Sequence, residues 1–149
     1  MLAHSIVDMA QQPFAQVASE TGLHPDILRM LVRDGLLEGD MVSWSSQGGV
    51  CDIEQAREIA ARLDAARAPV EGQGITATDA AEKYGFNRRS IYYWYKNGWV
   101  NVIGTGSYNA QLFNEGDIAF ARVLADIRGQ IAGKSIFPAK PRSGRPRKQ

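Results

Sequence analysis

The chain says the same thing twice. From Val17 it reads Val-Ala-Ser-Glu-Thr-Gly-Leu-His-Pro-Asp-Ile-Leu-Arg-Met-Leu-Val-Arg-Asp-Gly-Leu-Leu. From Ala80 it reads Ala-Ala-Glu-Lys-Tyr-Gly-Phe-Asn-Arg-Arg-Ser-Ile-Tyr-Tyr-Trp-Tyr-Lys-Asn-Gly-Trp-Val. Gly22 matches Gly85 and Gly35 matches Gly98 at an offset of 63, and an Asp-Ile pair (Asp52-Ile53, Asp117-Ile118) recurs at 65. A repeat of this length predicts one supersecondary unit used twice, and the pattern within it reads as helix-turn-helix.

Helices are expected at Phe14–Thr21, Pro25–Asp34 and Ile53–Ala66, then at Ala77–Tyr84, Arg88–Asn97 and Glu115–Ile131. Apolar residues recur at helical spacing: Ile27, Leu28, Leu31 and Val32, then Ile91, Trp94 and Tyr95. Gly22, Gly85, Gly35 and Gly98 stand where helices end in a left-handed residue. Asn87 is an N-cap candidate, as is Thr76 or Thr78 for the helix before it. After each second helix comes a hairpin: Met41–Trp44 with Val50-Cys51, and Trp99–Ile103 with Tyr108–Phe113 around a Gly104–Ser107 turn. A two-stranded ribbon after a helix-turn-helix is a wing. The expected fold class is mainly α with short β-hairpin wings, in two tandem winged helix-turn-helix units. The units are residues 1–67 and 75–133, with a linker at 68–74 and a basic, disordered tail at 134–149.

Composition excludes several classes. No apolar run approaches the ~20 residues that span a bilayer, and no signal peptide is read at the N-terminus, which predicts a cytoplasmic, nucleoid-associated protein with no membrane partner. Cys51 is the only cysteine, and with His4 and His24 scattered no metal-ligand spacing exists. The thiol reads as a small half-buried hydrophobe. The carboxylates fall mainly on helix faces expected to be solvated, and no catalytic constellation appears, so neither enzyme activity nor a cofactor is expected. The net charge of +1 hides an asymmetry: residues 1–70 sum to −5, residues 71–133 to 0, and residues 134–149 to +6. Such imbalance between segments says more about partners than the total does.

The helix from Asn87 to Asn97 carries the chemistry. With Ile91, Trp94 and Tyr95 turned inward, Arg88, Arg89, Tyr92, Tyr93 and Lys96 point outward or flank that face. Long donors in the first turn of a major-groove helix reach base edges, while tyrosine hydroxyls and lysine reach phosphates. The second unit resembles the MerR-like and excisionase-like winged helix-turn-helix superfamily. The resemblance lies in Ile75-Thr76-Ala77-Thr78-Asp79-Ala80-Ala81, Gly85-Phe86-Asn87, Ser90-Ile91-Tyr92-Tyr93-Trp94, Gly98-Trp99-Val100, and Phe113 with Gly116-Asp117-Ile118. It implies that the second helix enters the major groove through Asn87, Arg88, Arg89, Tyr92, Tyr93 and Lys96. It also implies that the wing, with Thr105 and Ser107, touches the flanking backbone. The superfamily often has arginine where this chain has Tyr92. No dimerisation coiled coil or cysteine cluster follows.

The first unit fits the same pattern more loosely, and Asp26 stands where Arg89 stands in the second. Two roles are open to it: reading a second DNA site through Arg29 and Arg33, or serving as a protein-contact or homodimerisation module; charge favours the latter. The tail, Pro141-Arg142-Ser143-Gly144-Arg145-Pro146-Arg147-Lys148, resembles the AT-hook. That implies minor-groove contacts from Arg142, Arg145, Arg147 and Lys148, against the alternative of a basic tail acting by counterion release. The expected function is sequence-specific binding of double-stranded DNA by a transcriptional regulator. The alternatives are a mobile-element architectural protein (an excisionase or small terminase subunit) and a protein-interaction scaffold.

Overall fold

A computed structural model describes residues 10–41, 48–129 and 135–138. One order of elements occurs twice. The first round is β1 (Gln11–Pro13), α1 (Phe14–Thr21), α2 (Pro25–Arg33), β2 (Gly39–Met41), β3 (Gly49–Asp52) and α3 (Ile53–Arg67). The second is β4 (Gly74–Ile75), α4 (Ala77–Tyr84), α5 (Arg88–Lys96), β5 (Val102–Thr105), β6 (Gln111–Asn114) and α6 (Glu115–Arg128). The described chain is mainly helical. Each round builds one small antiparallel sheet, in the order β1-β3-β2 and β4-β6-β5. No described helix is long and apolar enough to cross a membrane.

The same atoms close corresponding corners. Gly22 and Gly85 end α1 and α4 at φ of 79° and 74°, and their amides donate to Ala18 and Ala81. The His24 Nδ1 accepts the Asp26 amide proton at 3.0 Å, and the Asn87 Oδ1 accepts that of Arg89 at 2.8 Å, so both second helices are capped. Past them, Leu36 donates to the Leu31 carbonyl and Trp99 to that of Trp94, both at 2.9 Å. Thr76, rather than Thr78, caps α4.

The long helices correct the sequence register. Asp52 caps α3, and its counterpart is Asn114, which caps α6. Asp117 instead corresponds to Gln55. The Glu38 amide donates to Gln55 Oε1 at 2.8 Å, and the Asn101 amide donates to Asp117 Oδ2 at 2.9 Å. The two Asp-Ile pairs are therefore a coincidence of composition. Structure repeats there at 62, because what is reproduced is the bond to the chain leaving the second helix.

Two strands and one turn also differ from expectation. β1 and β4 add a third strand to each expected hairpin. In the second hairpin β5 runs through Gly104 to Thr105, with a register irregularity between Val102 and Gly104, and the chain reverses over Gly106–Ala110. Gly104 lies in β5 and not in the turn, while Gly106 opens the reversal and also leaves room for Leu112. A Cβ on Gly106 would stand 3.2 Å from that side chain, as would one on Gly74. The reversal itself holds Tyr108 and Asn109 at φ of 58° and 62°. In the first hairpin the strand that pairs with Gly49–Cys51 is Gly39–Met41, which begins two residues before the expected Met41–Trp44, while Trp44 and the hairpin tip lie outside the described residues.

One apolar core runs through both rounds, from Phe14, Leu28, Leu31 and Leu63 to Ile91, Phe113, Ile118 and Leu124. α3 packs against α6. The expected linker, 68–74, holds a 3-10 turn at Ala68–Val70 and enters β4 at Gly74. Its Glu71 accepts a hydrogen bond from Asn114 Nδ2 at 3.0 Å. Cys51 is fully buried, and burial, then the Asp52 charge, pushes its thiol up to about 11. It is packing, not reactive chemistry.

Candidate nucleic-acid interface

α5 is fixed from beneath and open above. Ile91 and Trp94 are buried, and the Phe86 ring meets Trp94 edge-on at 4.9 Å. Tyr92 and Tyr95 bracket Phe113, at 5.5 and 5.8 Å between ring centroids. Tyr95 was expected inside; it instead lies at the edge of the core, 37% exposed, because Phe113 from β6 fills the space below it. Tyr92 and Tyr93 are 42% and 55% exposed. Arg88, Arg89 and Lys96 are exposed, with Arg88 Nη1 donating weakly to Thr78 Oγ1 at 3.4 Å.

Ion pairing sets this helix apart from most of the described chain. Among the described residues, Arg29, Arg57, Arg67, Lys83, Arg122 and Arg128 each bind a carboxylate. Arg33, Arg62, Arg88, Arg89 and Lys96 form none of the described ion pairs, and three of these five lie on α5. The first turn of α5 holds no acid, so the positive end of the helix dipole and the two arginines add to one positive pole.

α2 has the same backbone and the opposite surface. Asp26 occupies its first turn and binds Arg29, whose guanidinium lies 5.9 Å from the Phe14 ring and is 13% exposed. Met30, the counterpart of Tyr93, is 4% exposed. Both ends of α2 are held by the second round: the His24 ring meets Trp99 edge-on at 4.9 Å, and Asp34 accepts from Arg128 Nε at 2.6 Å. Of the expected second site only Arg33 is presented to solvent, because Asp26 and Phe14 engage Arg29. No family model matches the chain, and no curated protein or solved structure matches it.

The wing brings Thr105 and Ser107 to the surface as expected. It also presents two residues that sequence reasoning missed. Ile103 is exposed on β5, and Tyr108 is fully exposed at the reversal. The signal for Tyr108 was weak, since it was read as the start of a strand. Arg142, Arg145, Arg147 and Lys148 lie outside the described residues.

At the start of α6 the Glu115 and Asp117 carboxylates are buried rather than solvated. Glu115 Oε2 accepts from Lys83 Nζ and Tyr84 Oη, both at 2.5 Å. Burial pushes the Glu115 carboxyl up, but these two bonds and the lysine charge outweigh it and hold the group below its ordinary range. Burial and then the Glu115 hydrogen bond push the Tyr84 phenol up. Arg67 binds Asp117 and Glu71 and lies over the Phe120 ring at 4.8 Å. Burial opposes its charge; the two carboxylates more than restore it. These pairs tie α3 and α4 to the start of α6 and hold the platform on which α5 sits.

Proposed function

We propose that the chain binds double-stranded DNA sequence-specifically, as a transcriptional regulator, through a single reading helix. In this reading the two rounds are tandem winged helix-turn-helix units of the MerR-like and excisionase-like kind. α5 lies in the major groove, with Asn87, Arg88 and Arg89 toward base edges and Tyr92, Tyr93 and Lys96 toward phosphates. The wing, through Thr105, Ser107 and Tyr108, meets the flanking backbone, and Arg142, Arg145, Arg147 and Lys148 add minor-groove or phosphate contacts. The observation that carries this is the contrast between α5 and α2. Cations free of carboxylates, at a helix N-terminus without acid, suit a polyanion; a first turn holding Asp26 does not. The first unit is then a support for the second, since on the α2 face that would meet DNA Asp26 engages Arg29 and Met30 is buried, which leaves Arg33 exposed.

Fluorescence anisotropy with random duplex at low and moderate salt tests the class, and selection from a random duplex pool gives the site. Arg89→Ala is expected to lose about 1–3 kcal/mol of discrimination at one base position, and Lys96→Ala to weaken all duplexes alike. Absence of binding at low salt refutes the reading; unchanged site preference in Arg89→Ala refutes the helix assignment.

A further inference from the structure

The second wing is uncharged. From Asn97 to Asn114 the chain carries neither acid nor base, whereas the matching stretch of the first round holds Asp34, Glu38, Asp40 and Asp52. The wing also ends in a ring without a partner. Outside α5, the other aromatic residues described in the second round are engaged: Tyr84 on Glu115, Phe86 on Trp94, Phe113 on Tyr92 and Tyr95, and both Trp99 and Phe120 on Phe137. Phe137 lies in the stretch expected to be disordered and is instead buried. Tyr108 is the exception. It is fully exposed, and its φ of 58° is one that a bulky residue adopts only under strain. The fold holds this conformation and gains no burial of the ring from it.

We propose that Tyr108 is a minor-groove wedge: its ring enters between base pairs at a step flanking the α5 site, unstacks that step and bends the duplex. The proposal rests on the DNA-binding reading above and goes beyond the backbone contacts of the wing. A wing without cations has no charge to set against phosphates, and Thr105 and Ser107 offer hydroxyls only. An aromatic ring with open faces matches the faces of bases, which are presented where a step is unstacked. The ring is already set for insertion. The Gly106 amide donates to the Ala110 carbonyl at 2.7 Å and the Ala110 amide to that of Ser107 at 3.1 Å, so little ordering is left to binding. The hairpin is also tied to α5, since Val102 pairs with Phe113, on which Tyr92 and Tyr95 pack. From that pair β5 advances three residues to Thr105, roughly 10 Å, and the reversal with Tyr108 lies beyond. A reach of this order suits the minor groove next to a major groove, roughly 17 Å or half a helical turn away. Ile103, bulged out between Val102 and Gly104, gives the wing a second exposed apolar side chain.

The test uses the full chain and the duplex it selects from a random pool, with 2-aminopurine placed at one position at a time. Binding is expected to raise the fluorescence at one flanking step, most readily a pyrimidine–purine step. Tyr108→Ala is expected to abolish that rise and to weaken binding about fivefold or more, with the salt slope unchanged. Tyr108→Phe keeps the ring without its hydroxyl and is expected to match the wild type in both. Absence of a rise at every position, or unchanged affinity in Tyr108→Ala, overturns the proposal. So does Tyr108→Phe as weak as Tyr108→Ala, which would mean that the hydroxyl holds a phosphate. Tyr108→Gly suits the left-handed backbone and is expected to bind like Tyr108→Ala with no loss in Tm. A fall in its Tm would show that the ring supports the fold, and overturns the proposal. Self-association of the wild-type chain in sedimentation, abolished by Tyr108→Ala, would make the wing a protein contact and also overturns it. Failure of the wild-type chain to bind any duplex overturns the DNA reading itself, and this proposal with it.

Discussion

Glu115 is the residue where burial, pairing and protonation meet. It is almost wholly buried at the start of α6, and its lysine and tyrosine partners come from α4. Its carboxyl is held below the ordinary range in the fold. Its stabilising contribution is therefore complete above the unfolded value, near pH 4.3, and is lost as pH falls through the folded value. Glu115→Gln is expected to cost about 1–3 kcal/mol at pH 7, since Lys83 loses a charged partner. It is also expected to flatten the fall in Tm below pH 5, which scanning calorimetry at stepped pH would read. Parallel acid limbs in the two proteins would show that Glu115 does not titrate with folding. None of this was legible in the sequence. A Glu beside a Gly opening a helix reads as a solvated helix start, and the partners that bury it lie about 30 positions earlier.

At the scale of elements the sequence was informative wherever chemistry is local. Asn87, Gly85 and the Ile91–Trp94 spacing locate α5, because a cap, a left-handed glycine and a buried stripe each act within one or two turns. β1 and β4 were missed because strands of three and two residues have no readable period. The wing tip was misplaced because Gly104 lies in β5 and the positive φ angles of the reversal fall on Tyr108 and Asn109, which are not glycines. The paired caps provide a comparison. Asn87→Ala is expected to cost about 1 kcal/mol, a Tm loss of roughly 2–4 °C. His24→Ala is expected to cost more, because it also removes the edge contact with Trp99. Equal losses in thermal melts would mean that the His24–Trp99 contact contributes nothing to stability.

For the whole molecule, the repeat predicted two units and left their relation open. The apolar core crosses between them, and Arg67–Asp117 and Arg128–Asp34 reinforce it. Thermal unfolding is expected to be one transition. Leu63→Ala, in α3 and fully buried, should cost about 2–5 kcal/mol and lower the melting of both halves together. In a Trp44→Phe background the remaining tryptophans, Trp94 and Trp99, report the second half alone, while far-UV circular dichroism reports all helices. Two separate midpoints would show that the halves fold independently.

The contrast between α2 and α5 has a consequence for how such a chain would sit on a DNA target. Two open, symmetric reading helices would recognise a palindrome and could not tell left from right. On the proposed reading, one open helix beside a first unit that does not read would recognise an asymmetric site and lie on it in a single direction. Inverting the site in a promoter would then carry the first unit to the opposite flank, so orientation as well as presence of the site would matter to anything bound next to it.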